Sequence, residues 1–510
     1  MTQFLLGIDV GTSGSKVLLI APDGAVRASA TVEYPFQTPK PLWAEQDPEE
    51  WWRATAEGIR RVCAKEGIAP STVAGVGLTG QMHGLVLLDG HGAVLRPCIM
   101  WNDQRTGDQC AAITKKVGAK RLLELTGNPV LPGFTAPKIA WVRENEPQVY
   151  SRIAKFLLPK DYVRFRLTGG YAADVSDSSG TSLFDVGKRK WSEEMVKAFG
   201  IPSDWLAEVH ESAAVCGKVS ADGARATGLL EGTPVVAGAG DQAAQAVGTG
   251  ISEEGIVSIT TGTSGVVFAA SSSYRIEPEG RLHAFCHAIP GMWHLMGVML
   301  SAGGSFRWYR DTFGELEREL AQKSGADPYD LLIDAARSTP PGADGLLFLP
   351  YLTGERTPHP DPLARGVFCG LTVRHTRGHC TRAVLEGVTY GLRDSLELMR
   401  GLNLTVREVR ASGGGAKSDF WRQLMADIFG ATLNTVNTTE GAAYGAALLA
   451  GVGVGVYRSV PDACRSVVRT TGSTPPGSDG PKYEPYYREF RALYPALAPH
   501  FQKIASLSQQ

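Results

Sequence analysis

The sequence predicts a mixed α/β protein built from two similar halves that face one another across a cleft. Three observations lead there. At 510 residues the chain is too long for a single hydrophobic core, so at least two domains are expected. The tetrapeptide Gly-Thr-Ser-Gly occurs at 11–14 and again at 262–265, each time between two strand-like apolar runs. A repeat about half a chain apart points to a duplicated domain. Between the copies, residues 235–248 (VVAGAGDQAAQAVG) read as the end of a buried strand, a glycine turn and a helix, with Asp241 at the helix mouth.

Along the chain, residues 4–8 and 16–20 are apolar runs joined by Asp9-Val10-Gly11-Thr12-Ser13-Gly14-Ser15, a β-hairpin with a glycine and hydroxyl loop. Its second copy runs from 257–260 through Thr261-Gly262-Thr263-Ser264 to 265–268. Plain tight turns use the same residues. Their recurrence favours two phosphate cradles, since glycine permits close approach and loop amides form an anion-binding concavity. The copies differ at one place: Asp9 stands two residues before Gly11, whereas Thr260 holds that place before Gly262. One carboxylate facing a polyphosphate is what Mg²⁺ needs, so the metal is assigned to the first half.

Asp47-Pro48-Glu49-Glu50 starts a helix, with Asp47 as N-cap, Pro48 at the first helical position and Glu50 placed for a capping box. Trp51 and Trp52 after it are packing residues. Residues 73–80 form a strand that enters a turn at Gln81-Met82-His83-Gly84. Gly75, Gly77 and Gly80 spell GxGxxG, but the run leads to a second strand at 85–88, without the helix that would hold a pyrophosphate. A dinucleotide site is therefore rejected. His83 is either a turn histidine or a polar contact to a small substrate.

Trp101-Asn102-Asp103-Gln104-Arg105 offers a structural Asp–Arg pair or sugar-hydroxyl recognition, and 159–162 and 174–177 read as polar loops. His283, Cys286 and His287 have zinc-like spacing, yet no second ligand pair lies nearby and the flanking residues suit a strand. In the second half, 356–366 is a proline-rich loop, 382–399 a helix and 406–410 a strand. That strand meets Ser412-Gly413-Gly414-Gly415-Ala416-Lys417-Ser418, followed by a helix at 420–429. Three glycines at such a corner let backbone lie against a nucleoside, although a flexible turn uses them too. Gly441-Ala442-Ala443-Tyr444-Gly445-Ala446-Ala447 allows close helix packing on that floor. Residues 472–481 read as a loop and 486–504 as a final amphipathic helix. Asp241 itself is either a helix cap or a general base.

The balance of 51 basic against 52 acidic residues leaves a formal charge of −1 and no basic block, which argues against a nucleic-acid partner. Eight cysteines without a CxxC pair suit reduced thiols in a cytoplasm. The N-terminal apolar run is too short to span a membrane. No GxxxxGK[ST] occurs, so ATP would not be bound through a P-loop.

Paired hairpins, an aspartate at the corner and a glycine-rich loop together resemble the actin, Hsp70 and sugar-kinase superfamily. That resemblance implies two ribonuclease H-like domains, 1–248 and 249–510. Residues 133–145 (GFTAPKIAWVREN) resemble the first signature of the FGGY carbohydrate kinases. Residues 366–371 with 379–386 resemble the second, departing at Cys380. The segments PLWAEQDPEEWW, GQMHG, LRPCIMWND, LLPKDYVRFRLTG and FLPYLTGERTPH are similar to the members acting on xylulose, whereas glycerol kinases carry arginine and glutamate in place of Met82-His83. Gln242 departs from the asparagine usual after the catalytic aspartate.

The resemblance implies phosphorylation of D-xylulose at O5 by ATP with Mg²⁺. Asp241 is implied as catalytic base, and Met82, His83, Trp101, Asp103, Asp241 and Gln242 as substrate contacts. Gly11, Thr12, Ser13, Lys16, Gly262, Thr263, Gly414, Gly415 and Lys417 are implied for ATP, and Asp9 for the metal. The expected partners are the sugar and ATP, in the cytoplasm, with a homodimer allowed. The alternatives are a kinase for ribulose, arabinitol or a related acceptor, and a nucleotide-switched actin-like or chaperone-like interaction protein.

Overall fold

The computed structural model describes residues 3–65, 68–438 and 440–507. Two seven-stranded sheets organise them. In the first, Phe4–Val10 and Gly14–Ile20 pair antiparallel as a hairpin, with Asp9 opposite Lys16. Val26–Glu33 extends the hairpin on one side, and Val73–Gly80 joins Phe4–Val10 in parallel on the other. In the second sheet, Ile256–Thr261 and Gly265–Ser271 repeat the hairpin, and Glu408–Gly413 takes the parallel place. The duplication expected from the repeated tetrapeptide is thus a duplication of topology.

Leu5, Leu6, Ile8 and Val10 are buried although they point to alternate faces, because both faces of the first sheet are covered. The Pro48–Cys63 helix packs on one face through Trp51, Ile59 and Val17. The other face takes the Gly441–Gly453 helix, which joins Leu5 and Leu18 in one apolar cluster with Ala443 and Ala447. This corrects the expectation that the small-residue run packs on the floor of the glycine-rich loop: it returns across the chain to the first sheet. Its approach is close enough to require missing side chains. A Cβ on Gly7 would lie 2.0 Å from the Ala443 carbonyl oxygen, and one on Gly77 1.9 Å from that of Ala446. Gly77 of the GxGxxG run therefore serves helix packing.

Other expectations change locally. Asp47 caps the first helix by accepting the Glu49 N–H at 3.0 Å, but Glu50 pairs with Arg53 at 2.8 Å in place of closing a capping box. The supposed polar loops are helices, Pro159–Thr168 and Val175–Ser178. Their charges are buried and mutually paired: the Lys160 ammonium lies 2.5 Å from Asp161, 2.7 Å from Asp174 and 3.3 Å from Asp177. Residues Thr470–Thr474, partly inside the expected loop, form an edge strand beside Thr432–Val436, and the last helix spans Gly480–Leu507. Among the described residues no helix is long and apolar enough to cross a membrane.

Candidate active site

The corner at Asp241 is built by a short strand. Ala239–Gly240 pairs in parallel with Val73–Gly80, setting Gly240 opposite Gly80, and the chain then passes directly into the Asp241–Gly248 helix. Gly240, not Asp241, occupies the N-cap position. The Asp241 carboxylate is bound by backbone alone, Oδ1 accepting the Gln242 N–H at 2.7 Å. Burial, and next the charge of Asp9, push its carboxyl up to about 7. Burial likewise pushes Asp9 up to about 6 against the pull of Lys16. Among the described residues no side chain hydrogen-bonds either carboxylate. Two buried carboxylates, one of them sensing the other, suit a proton acceptor and a cation ligand. Lys16 is less available to phosphate than expected, because its ammonium pairs with Glu440.

Beside this corner lie Met82 and His83. A Cβ on Gly240 would sit 3.0 Å from the Met82 sulfur, so the thioether packs over the residue preceding Asp241. His83 takes a left-handed backbone (φ 68°), and its ring stacks on Phe134 with centroids 4.5 Å apart. Nδ1 lies 2.8 Å from the Gly180 carbonyl oxygen. Burial lowers the imidazole to about 3, so the ring is neutral. A carbonyl only accepts, hence Nδ1 carries the hydrogen and Nε2 presents a lone pair. The turn is held from beneath: the His83 carbonyl accepts from Thr135 at 3.1 Å and from the buried Lys138 ammonium at 2.9 Å.

Trp101 reaches the first hairpin, its indole N–H donating to Thr12 Oγ1 at 3.1 Å while 41% of the residue stays exposed. Asp103 does not follow it. Both its oxygens are taken, Oδ1 by the Arg105 N–H at 2.9 Å and Oδ2 by the Ala44 N–H and Arg105, each at 2.7 Å. Its exposure is 0%. The Asp–Arg pair is structural, and the Arg105 guanidinium lies 3.6 Å over the Trp43 ring. With both oxygens engaged, Asp103 supports the structural reading of the pair over the sugar-contact one.

In each hairpin loop the leading glycine closes the turn, Gly11 N–H onto Gly14 O at 3.1 Å and Gly262 N–H onto Ser264 O at 3.0 Å. The N–H groups of Thr12, Ser13, Thr263 and Ser264 have no partner among the described residues. Gly262, Thr263, Gly414, Gly415 and Lys417 line one cavity of about 510 Å³, together with Phe306, Tyr329 and Trp421. That volume and its mixed apolar and polar lining suit a nucleotide-sized ligand. Gly413 takes φ 84° and lies so near the second hairpin that a Cβ would stand 2.5 Å from Thr261 O, whereas Gly414 is open toward the cavity. Thr260, the counterpart of Asp9, accepts from Gln245 on the Asp241 helix at 3.0 Å and bonds Ser412 at 2.9 Å.

Several supporting residues carry no local sequence signal. Gln81 and Gln46 hold the first loop, Gln81 donating to Gly11 O at 3.3 Å and Gln46 to Thr12 O at 3.0 Å. Ser176 accepts the Gly240 N–H at 3.1 Å and donates to Asp174 at 2.6 Å, tying the Asp241 corner to the buried Lys160 cluster. The zinc-like trio is engaged elsewhere: His283 with Asn128 at 2.8 Å, Cys286 with Val186 O at 3.5 Å, His287 with Ile251 O at 3.0 Å.

Residues 4–248 match the N-terminal domain of the FGGY family of carbohydrate kinases, and residues 257–454 match its C-terminal domain. The chain is 41% identical to a xylulose kinase of Escherichia coli (strain K12), over 97% of this chain and 99% of that one. Among solved structures, it superposes on a xylulose kinase from Rhodospirillum rubrum with TM-score 0.90 at 32% identity, covering 98% and 100% of the two chains. A structure described as a xyloylose kinase from Brucella ovis gives TM-score 0.89 at 38% identity, covering 98% and 100%. The duplicated hairpin sheets, the uncapped Asp241 and the matches along both halves agree: the chain belongs to the FGGY family of carbohydrate kinases.

Proposed function

We propose that the protein transfers the γ-phosphoryl group of ATP to O5 of D-xylulose, with Asp241 as general base. The observation that carries this reading is the corner itself. Asp241 is freed from capping, raised to about 7 by burial and by Asp9, and flanked by Met82 and a neutral His83. A base of that strength is ionised in part at neutral pH yet strong enough to take a hydroxyl proton as the bond to phosphorus forms. His83 Nε2 accepts from a second hydroxyl and so fixes which end of the sugar meets Asp241.

The unpaired N–H groups at Thr12, Ser13, Thr263 and Ser264 hold phosphate oxygens, and the cavity at Gly414 and Lys417 takes the nucleoside. Asp9, whose carboxylate has no hydrogen-bonding partner among the described residues, fits a Mg²⁺ ligand; the ion's contribution there would be charge neutralisation on the phosphates. The same reading divides the chain at 1–248 and 249–510 with a cleft between, and places the enzyme in the cytoplasm. Its similarity to named xylulose kinases along nearly the whole chain supports the choice of acceptor.

The test is acceptor-dependent ADP release with Mg²⁺-ATP across D-xylulose, D-ribulose, L-ribulose, L-xylulose, glycerol and the pentitols, with the product position assigned by NMR. D-xylulose is expected to give the highest kcat/KM and a 5-phosphate. Asp241→Asn is expected to lose most turnover, on the order of 10²–10⁴-fold, while still binding ATP. A different preferred acceptor keeps the base and replaces the sugar; full activity in Asp241→Asn removes Asp241 from that role.

A further inference from the structure

Arg356 stands apart from the other arginines near the molecule's interior. Its neighbours are pinned. Glu355 accepts the N–H groups of Leu300 at 2.9 Å and of Arg356 itself at 2.7 Å. Thr357 donates its N–H to Val298 O at 3.1 Å and receives the Val298 N–H on its hydroxyl at 3.2 Å. Arg356 is thereby fixed against the end of the Trp293–Met299 strand. Val298 packs on the cluster of Phe134, Phe285 and Met296, and His83 meets that cluster at 4.5 Å from Phe134 and 6.2 Å from Phe285. The second half therefore anchors Arg356 beside a strand whose Val298 packs on the aromatic cluster that His83 meets.

That guanidinium is half-buried and unpaired. Arg105 has Asp103 and Glu45, Arg382 has Glu386, and Arg189 has Glu211. Arg356 has no hydrogen bond, ion pair or aromatic face at its head among the described residues. Its neighbour Glu355 senses that charge, but its carboxylate is held by the Leu300 and Arg356 N–H groups and makes no ion pair with the guanidinium among the described residues. A cation withdrawn from water without partners is costly unless a ligand supplies them. Its charge reaches His83 and His283, while the charge felt by Asp241 is that of Asp9. With its anchor at Val298, this sets Arg356 on the His83 side of the corner.

We propose that Arg356 is a specificity-determining contact of the acceptor site, its planar fork donating to O1 and O2 at the end of the ketopentose opposite the phosphorylated hydroxyl. The proposal rests on the acceptor reading above. A guanidinium presents parallel N–H donors in a rigid plane, and O1 and the C2 carbonyl of a 2-ketose offer two adjacent acceptors to it. Because the residue comes from the second half and His83 from the first, a bound ketose is held by both.

The test compares D-xylulose with 1-deoxy-D-xylulose in the unmutated enzyme, Arg356→Gln and Arg356→Lys. Loss of O1 is expected to cost the unmutated enzyme about 10-fold in kcat/KM, and Arg356→Gln to cost about 10- to 100-fold on D-xylulose, the range for a hydrogen bond to a charged group. The loss should fall mainly on the sugar KM, leave the KM for ATP unchanged, and make Arg356→Gln indifferent between the two sugars. Arg356→Lys, a charge without the fork, should recover part of the affinity and little of the discrimination. An unchanged sugar KM in Arg356→Gln, or undiminished discrimination in either variant, overturns the assignment. Should Arg356→Gln fail to fold, as judged by thermal melting, the Lys variant decides on the same comparison. If the unmutated enzyme phosphorylates no ketopentose, it is the acceptor reading that fails, a result visible before any variant is made.

Discussion

Asp241 is buried one residue past the N-cap position of its helix, and its ionised carboxylate destabilises the fold near neutral pH. Its carboxyl sits at about 7 in the folded chain against an ordinary 3.8. The folded state therefore holds more protons than the unfolded one between those values, and stability falls as pH rises from about 4 to about 7. Asparagine removes the ionised group. Asp241→Asn is expected to melt above the unmutated protein at pH 8, with the gap closing toward pH 4; a melting curve series across pH that shows no such convergence contradicts the burial of this carboxyl. The same proton holds back activity. The acid limb of kcat/KM should fall near pH 7, as an apparent value shared by the Asp9 and Asp241 pair.

The Gly441–Gly453 helix packs directly on the helix that carries that carboxylate. It lies in the notch between the first sheet and the Asp241–Gly248 helix, where a Cβ on Gly445 would stand 1.8 Å from the Ala244 carbonyl oxygen. Gly445→Ala should therefore push the two helices apart, cost about 1–3 kcal/mol or more of stability, and lower kcat by moving Asp241. Gly401→Ala, at a helix end with no heavy atom within 4 Å of the added methyl, is the control expected to be neutral by denaturant titration. Equal effects would show that backbone freedom, not contact, sets the cost. The sequence signalled this helix's closeness through its small residues but not its partner, which lies hundreds of positions away. The hairpins were legible because a glycine loop between apolar runs is a local pattern, and so was the corner at Asp241. Asp161, Asp174 and Asp177 were misread as loop residues because charge in a sequence reads as solvent exposure, while here each is paired with Lys160 in the interior. Arg356 lay inside the segment FLPYLTGERTPH with nothing local to set it apart, since what distinguishes it is a head without a partner among the described residues.

At the scale of the molecule, Gln245 on the Asp241 helix donates to Thr260 of the second hairpin, and Thr260 in turn bonds Ser412 within the second sheet. The proposed acceptor contacts Met82 and His83 lie in the first half, and the cavity proposed for the nucleotide is lined by the second. Phosphoryl transfer needs both brought together with water shut out, because water competes as acceptor. If an acceptor held at both ends, by His83 and by Arg356, is what draws the halves together, closure depends on the sugar and not on its reacting hydroxyl. ATP hydrolysis without sugar should then be slow, and 5-deoxy-D-xylulose should raise it, since that analogue closes the site and leaves room beside Asp241 for a water molecule. Asp241→Asn should abolish the stimulation while leaving the analogue's binding intact. If 5-deoxy-D-xylulose binds yet leaves hydrolysis unchanged or suppresses it, acceptor binding does not by itself assemble the transfer site, and the two halves must already be poised before the sugar arrives.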